Sequence, residues 1–533
     1  MQRLAAAVRD FVSLRPLPSA AAALLSGIAA GFAVPEASEA WGVAAVLCAL
    51  CVAAGIGWNL RFLALPAVFL CGAAIAMRAD CMLYDVQDAL SRPTGRGAPE
   101  FEFTALEDAR PDPRSRADGL QAFEVPARAG VLEMTVHGTV GPDEALPRAG
   151  ERWRCKGWLA RPRAGRSRFS RRRFGAGRSR GANAVRVAEA DPSSVSSILA
   201  SFRAALSEKA GLGLDGDPDA AAMNRALLLG ERSMLPYAKR KTFIDAGTVH
   251  VFAISGMHVM LMAGIMGLLL RVCGMRPASR AAVLIPAVFA YAALAGARPS
   301  ALRAATMCAL YLAAPALGRR PDALTALSAT AIIVYGARPQ MMFDAGCTLS
   351  FAVMAGITAW CAWARRIPPP WRRLDALVQN LRRDGRPAAA FCASMLRRAL
   401  AGVSGLAGVS VAAWVAGVPP AAAIFGRITP GALVSGVPVC LLAGLAVQTG
   451  AAGIAAGFVW EPLGALLNKA AALCTRAMAG VSEAVASLPF SSFELENWGI
   501  AECAVWYAGA AAVACAVHFA FFRRKTGLEW LED

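Results

Sequence analysis

Apolar residues in this chain are grouped into runs long enough to cross a bilayer, with polar connections between them. Three runs, at 18–34, 41–57 and 60–77, occupy the N-terminal part. Further runs lie at 247–270, 281–296, 301–317, 323–336, 341–361, 404–426, 430–459 and 498–522, and a weaker amphipathic one at 462–488. About 20 apolar residues are enough for a helix to span the hydrocarbon core. The pattern therefore predicts a polytopic α-helical membrane protein.

Residues 80–195 interrupt this pattern with a segment rich in Asp, Glu, Pro and Arg. Apolar and polar residues alternate between Gly and Pro turns at 131–138, 152–159 and 184–187, which is typical of short β-strands. The sequence therefore predicts an inserted β domain. The predicted order is transmembrane helices at 1–79, the β domain at 80–195, amphipathic connecting helices at 196–246, a membrane domain at 247–522 and a polar tail at 523–533.

Composition agrees with a membrane location. Hydrophobic residues make up 56% of the chain and charged residues 17%, whereas a soluble domain has about a quarter charged residues. The mean hydropathy is +0.46. Many of the 14 cysteines stand inside apolar runs, which is typical of small core residues rather than of a disulfide framework.

The distribution of charge predicts an orientation. If residues 80–246 are outside, five spans place the Arg-rich segment 362–400 inside, as the positive-inside rule favours. The net charge of +18 has two compatible sources, Arg-rich cytoplasmic loops and a nucleic-acid-binding region. The predicted connecting segment around 220–232 is too charged to span and is expected to lie along the membrane surface.

A basic stretch with interleaved aromatic residues lies within the predicted β domain. Residues 151–181 contain 11 Arg and one Lys against a single acid. Cations that track phosphates and rings that stack on bases suit single-stranded nucleic acid; a solvated basic loop or contact with anionic lipid is the alternative. The residues that we assign to DNA binding are Arg152, Trp153, Arg154, Lys156, Trp158, Arg171, Arg172 and Arg173.

The run at 247–270 carries polar residues that a lipid-facing helix would not hold. Two of the four histidines, His250 and His258, stand there together with Ser255 and Gly256. A polar group in hydrocarbon needs a partner or a protein-lined cavity. A cavity-lining segment and a close helix crossing with satisfied histidines are both compatible with this pattern. The histidines are eight residues apart, so they do not form an i, i+4 metal pair, and no metal site is predicted.

Arg303 and Asp344 are charges placed just inside the outer ends of two predicted spans. At matching depth, opposite charges are expected to pair or to face water.

An enzyme is not predicted. The sequence has no G-x-S-x-G elbow, H-E-x-x-H, Walker loop or G-x-G-x-x-G. No cofactor is expected, and the energy for transport would come from elsewhere.

Ordered motifs resemble the ComEC competence-protein family. The segment 250–259, H-V-F-A-I-S-G-M-H-V, resembles the family's H-L-L-A-I-S-G-L-H-V. Upstream, 226–233 resembles A-L-L-L-G-[DE]-R-S, and downstream 296–307 resembles G-x-x-x-S-x-x-R-A-x-x-M. The segment 343–351, which contains Asp344 and Ser350, continues the order, although Thr348 stands where the family usually has Gln.

The resemblance implies a multi-pass channel of the bacterial inner membrane that passes single-stranded DNA into the cytoplasm, with residues 80–195 as an outward-facing OB-like domain that gathers the strand. The implied channel residues are His250, Ser255, Gly256, His258, Arg303, Asp344 and Ser350. The implied partners are single-stranded DNA, the lipid bilayer and cytoplasmic motor or DNA-binding proteins. Many relatives end in a metallo-β-lactamase-like domain, but H-x-H-x-D-H is absent here, so a separate nuclease is expected.

Two alternatives to this function stay open. One is a polytopic transporter or lipid-handling protein whose β domain binds another ligand. The other is a degenerate relative with a structural role in the membrane. Salt-sensitive DNA binding by the β domain would distinguish the channel from both.

Overall fold

The structure is a computed structural model. The residues it describes are 16–33, 71, 100–105, 109–111, 121–129, 132–141, 145–148, 150–156, 159–160, 178–180, 182–188, 195–231, 235–252, 256–296, 299–364, 372–384, 386–495 and 498–523. The predicted runs at 41–57 and 60–77 lie outside these residues, as do Trp158, Arg171, Arg172, Arg173 and Ser255.

The inserted segment forms a β-sheet, as predicted. Its strands are β1 (Glu100–Ala105), β2 (Arg110–Pro111), β3 (Gln121–Ala129), β4 (Leu132–Val140), β5 (Arg152–Lys156), β6 (Leu159–Ala160), β7 (Arg178–Arg180) and β8 (Ala182–Ala188). The strand order is β6-β7-β4-β3-β1-β5-β8, with β2 beside β3. The β4–β7 pair is parallel, and the other pairs of this sheet are antiparallel.

The core of the β-sheet is built from alternate residues of the long strands. Phe103, Phe123 and Trp153 are each 1% exposed, and Phe103 lies opposite Trp153 in the β1–β5 register. Successive side chains of a strand point to opposite faces. Glu102, next to Phe103, and Arg152 and Arg154, on either side of Trp153, are therefore exposed.

The helices agree closely with the apolar runs. They are α1 (Pro16–Ala33), α2 (Val195–Gly211), α3 (Pro218–Leu229), α4 (Tyr237–Asp245), α5 (Gly256–Val272), α6 (Pro277–Leu294), α7 (Pro299–Ala313), α8 (Ala323–Ala337), α9 (Ala345–Ala364), α10 (Arg372–Arg383), α11 (Pro387–Phe425), α12 (Ala432–Val459), α13 (Glu461–Ala486) and α14 (Ile500–Arg523). Four of them, α6, α9, α11 and α12, are long and apolar enough to cross a membrane, and α5, α7, α8 and α14 contain shorter apolar segments.

The polypeptide divides into two compact units. The first comprises residues 1–237, 250–348 and 443–476, and the second comprises 238–249, 349–442 and 477–533. The first unit therefore contains the β-sheet, α2, α3 and α5–α8. The second contains α4, α10, α11 and α14, together with the two-stranded pair β9 (Arg427–Ile428) and β10 (Phe493–Glu494).

Helix α3, which is predicted to lie along the membrane surface, has most of its residues buried in protein rather than exposed. Nine of its 12 residues are buried. The Asp217 side chain accepts a hydrogen bond from the Ala220 N–H at its start, and Gly230, at φ 75°, ends it in the left-handed conformation. Its small and aliphatic residues therefore pack within the first unit, and Leu228 reaches Gly450 of α12.

The polar residues of α13 anchor it to the connecting helices. The Asn468 side-chain amide donates to the carbonyl oxygens of Lys209 and Leu212, at 2.7 and 3.1 Å. Arg476 donates to the Asp217 carboxylate at 2.6 Å. These contacts explain two of the polar residues, Asn468 and Arg476, that weaken the apolar run at 462–488.

Candidate functional site

The chain enters the histidine segment from a turn that is fixed within the second unit. Gly247 has a φ of 74°, and a Cβ there would lie 2.7 Å from the Ala432 Cβ. Thr248 is fully buried, with its hydroxyl 3.1 Å from that of Ser482. A larger residue at position 247 would thus meet both backbone strain and a steric clash.

Arg427 holds the helix before this turn. Its guanidinium bridges the carboxylates of Asp245, at 2.5 Å, and Glu494, at 2.8 Å. Asp245 is the last residue of α4, so the bridge ties the end of α4 to both strands of the β9–β10 pair. The segment before the motif is therefore fixed by residues distant in sequence, which no local pattern revealed.

The run predicted at 247–270 is not one continuous helix. Residues Val249–Phe252 form a turn of 3-10 helix, and α5 begins at Gly256. His250 is exposed, whereas His258 is fully buried near the start of α5. The two histidines therefore have different environments, and no cluster of three metal-ligating side chains occurs among the described residues.

Gly256 allows α5 to approach α7 closely. A Cβ at this position would lie 3.1 Å from the Arg303 Nη2 and 3.6 Å from the Ala304 Cβ. The surrounding core consists mainly of small residues of α5, α6 and α7 and of Ala295, which follows α6; the helical members are Val259, Ala263, Val288, Ala292, Ala301, Ala304, Ala305 and Cys308. Small residues at a crossing let helix backbones come together in a membrane. Of the two interpretations of the histidine segment, the described part has the packing of a close crossing.

Arg303 is a buried cation in this crossing, only 2% exposed. Its Nη1 lies 3.9 Å from the Met307 sulfur, and Tyr335 and Cys347 lie within electrostatic range. The Cys347 thiol is 3.6 Å from the Tyr335 hydroxyl. Sequence reasoning did not assign Tyr335 or Cys347 to the site, although Cys347 stands inside the motif at 343–351.

Asp344 caps α9, and its pairing with Arg303 stays a prediction. Its Oδ1 accepts a hydrogen bond from the Cys347 N–H at 2.7 Å. A carboxylate at a helix N-terminus is stabilised by the free N–H groups and the helix dipole, which gives Asp344 a local structural role. Ser350 lies further along α9 and is half-buried.

The β-domain residues assigned to DNA have different positions. Arg152 and Arg154 are exposed on β5, and Arg154 pairs with Glu102 at 2.6 Å. Trp153 is a correction: its ring is buried against Phe123, at 6.4 Å between centroids, and its Nε1 donates to Glu151. A ring 1% exposed has no face for base stacking. Lys156 ends β5.

Cys155 lies in the same core as Trp153. It is 1% exposed, and burial raises the pKa of its thiol to about 11. Desolvation disfavours the thiolate, so this cysteine is a neutral core residue rather than a reactive group.

Comparison with known proteins places the site within a family domain. A family model described as "Competence protein" matches residues 227–519. The matched segment contains the histidine segment, Gly256, Arg303, Asp344 and Ser350, and it excludes the β-sheet. No curated protein and no solved structure matches the chain.

Proposed function

We propose that this chain, which belongs to the competence protein family, passes single-stranded DNA across the bacterial inner membrane. Membership of the family indicates a role in DNA uptake for transformation. In this proposal, the β domain gathers the DNA strand outside the membrane, and the helices form the channel through which the strand passes. The observation that carries it is the buried Arg303 beneath Gly256, inside the family domain.

Arg303 supplies a charge that suits a polyanion. A buried guanidinium is costly in a membrane and is retained where it serves a substrate or ion pathway. Its planar set of donors matches phosphate oxygens. Because Arg303 is 2% exposed, DNA would reach it only after the start of α5 moves from α7. On this proposal, a closed state of the channel has Arg303 buried, and an open state exposes it to the strand.

The strand pairings support an OB-like barrel in the β domain. β1 pairs with β3 and β5, β3 with β4, and β5 with β8. β7 pairs in parallel with β4, and residue 181 alone separates β7 from β8. If β7 and β8 act as one interrupted strand, the sheet returns on itself as a five-stranded Greek-key barrel, which is the OB arrangement.

The basic stretch occupies a functional position in such a barrel. The loop between the fourth and fifth strands binds oligonucleotides in OB folds. In this chain the corresponding segment, 157–177, carries Arg171, Arg172 and Arg173. Exposed Arg152 on β5 adds charge at the start of the fourth strand. This supports capture of the strand by phosphate contacts.

The experiment that tests the channel uses two glycines of the same helix. We expect Gly256→Leu to abolish uptake of labelled DNA in a deletion strain, because its Cβ would lie 3.1 Å from the Arg303 Nη2. Gly264→Leu is the matched control, because a Cβ there meets nothing within 4 Å. Both changes increase hydrophobicity equally, so both variants should insert. Normal uptake by Gly256→Leu at normal abundance would refute the assignment.

A second experiment tests strand capture with the full-length protein in detergent. We expect Arg171→Gln/Arg172→Gln to weaken binding of single-stranded DNA and to reduce the slope of log K against log salt by roughly 1.4, since each phosphate contact contributes about 0.7. Arg319→Gln/Arg320→Gln, which removes two exposed arginines between α7 and α8, is the control and should leave both quantities unchanged. Equal losses in the two variants would mean non-specific attraction.

A further inference from the structure

The α10–α11 hairpin carries features that the proposed channel does not use. The apolar residues of α10 recur at helical spacing on one face, with arginines at both ends. Val378 is 9% exposed against α11, whereas Leu377 is 47% exposed. The apolar residues are Leu374, Leu377, Val378 and Leu381, and the arginines are Arg372, Arg373, Arg382 and Arg383.

The length of α11 places this hairpin at the edge of the bilayer. Its 39 residues extend roughly 58 Å, about twice the thickness of the hydrocarbon core. Arg397 and Arg398 follow its first ten residues, so the apolar part after them is the segment that spans. An ion pair between Arg397 and Asp375 ties α10 to the first turns of α11, which come before the spanning part. Helix α10 and these first turns of α11 therefore lie at the membrane surface, outside the hydrocarbon core.

Charge and apolar surface are mixed on the exposed part of this hairpin. Phe391, Met395 and Leu396 are 63%, 52% and 54% exposed. Four exposed arginines are close to these residues in the sequence, namely Arg382, Arg383, Arg386 and Arg398. The described residues 372–384 and 386–398 hold seven arginines and two aspartates, and Asp375 is already paired. The surface is strongly cationic as well as partly apolar.

We propose that the α10–α11 hairpin, residues 372–384 and 386–398, is a docking surface for anionic phospholipid headgroups. A helix with an apolar face and an arginine-rich polar face lies in the interface, its apolar side in the acyl boundary and its cations at the phosphates. A nucleic-acid strand would engage the arginines but would leave Leu377, Met395 and Leu396 in water. A lipid surface accommodates both. The cytoplasmic leaflet, where the positive-inside rule puts this segment, carries the anionic lipids.

Amide hydrogen exchange of the full-length protein in lipid nanodiscs tests this surface. The discs contain phosphatidylcholine alone, or phosphatidylcholine with phosphatidylglycerol. We expect α10 to exchange more slowly with phosphatidylglycerol present, and Arg382→Gln/Arg383→Gln to reduce the protection by about fivefold for each headgroup-contacting arginine lost. Arg382→Lys/Arg383→Lys keeps the charge and should retain most of the protection. Peptides from the first half of α13 are the internal reference, and their exchange rate should be the same in the two lipid compositions.

Three results would overturn the proposal. Equal exchange of α10 in the two lipids would remove the headgroup contact. Protection by phosphatidylglycerol that survives the glutamine changes would assign it to another surface. Protection by a single-stranded oligonucleotide in phosphatidylcholine discs, with none from phosphatidylglycerol, would make the hairpin a nucleic-acid site. The uptake experiments on Gly256 are independent of all three.

Discussion

Two prolines inside α11 leave carbonyl groups that α14 satisfies, and this arrangement makes a sharp prediction. Helical N–H groups bond to the carbonyl four residues earlier, and proline has no N–H. Pro419 and Pro420 therefore release the carbonyls of residues 415 and 416. The Trp506 Nε1 donates to the Val415 oxygen at 3.0 Å, and the Tyr507 hydroxyl donates to the Ala416 oxygen at 2.8 Å.

Tyr507→Phe removes one of these donors and keeps the ring. We expect it to lower the free energy of unfolding by about 1–2 kcal/mol, because a buried acceptor left without a donor costs about 1–3 kcal/mol and hydrogen bonds between membrane helices contribute at most about 1.7 kcal/mol. Ala416 is 8% exposed, so water in its vicinity would offset little of the loss. Trp506→Phe should cost more, since its ring also packs on Trp414 at 5.6 Å.

A double-mutant cycle separates the hydrogen bond from other effects. Pro420→Ala restores the N–H that bonds to the Ala416 carbonyl, so Tyr507→Phe should cost little in that background. Pro419→Ala restores the neighbouring bond and is the matched control, in which Tyr507→Phe should keep its full cost. Equilibrium unfolding of the full-length protein in micelles measures each variant. An equal cost of Tyr507→Phe in all three backgrounds would refute the reasoning.

Three further predictions concern packing and protonation. Gly247→Ala should lower stability by about 2–4 kcal/mol, because it combines positive-φ strain with a 2.7 Å approach to the Ala432 Cβ, and thermal unfolding measures it. Gly453→Ala should separate α12 from α13, since its Cβ would lie 2.4 Å from the Asn468 Oδ1; limited proteolysis would then show faster cleavage between these helices. Burial raises the pKa of the Cys155 thiol from 9.0 to about 11, so its contribution to the stability of the β domain is present below pH 9 and is lost as pH rises through 11. Cys155→Val should abolish this loss of stability at high pH. If the pH dependence of unfolding stayed unchanged in that variant, the prediction would be contradicted.

Helix positions could be predicted from the sequence because membrane burial selects long apolar runs. The predicted run at 430–459 and α12 at Ala432–Val459 differ by two residues at one end. The apolar run at 404–426 covers only the later part of α11, since the run begins after Arg397 and Arg398, whereas the helix begins at Pro387. Arginines end an apolar pattern but not a helix, so hydropathy marks the spanning part of α11 and misses its extension.

Side-chain environments were harder to predict, because a basic stretch with aromatic residues was treated as one surface, although period-two alternation puts Arg152 and Arg154 on one face of β5 and Trp153 and Cys155 on the other. Trp153 was assigned to DNA with Arg152 and Arg154, yet strand alternation places it in the core between two exposed arginines. The capping role of Asp344 could not be predicted from the depth of its charge, since depth along a helix does not identify hydrogen-bond partners. The Cys347 N–H at the start of α9 donates to the Asp344 carboxylate.

Capture and passage, as proposed here, fail in different ways, which allows the two steps to be separated in one uptake assay. Phosphate contacts at the β domain act on affinity, so loss of Arg171 and Arg172 should be overcome by more DNA and should be mildest at high salt, where those contacts are already weak. Gly256→Leu adds a side chain at the helix crossing beside Arg303, whose Nη2 lies 3.1 Å from the added Cβ, and neither DNA concentration nor salt removes that added bulk. Uptake by the arginine variant should therefore approach the wild-type rate at saturating DNA, while uptake by the glycine variant should stay low at every concentration. If saturating DNA rescued both variants, Gly256 would belong to the capture step, and the channel would have to be sought elsewhere in the helices.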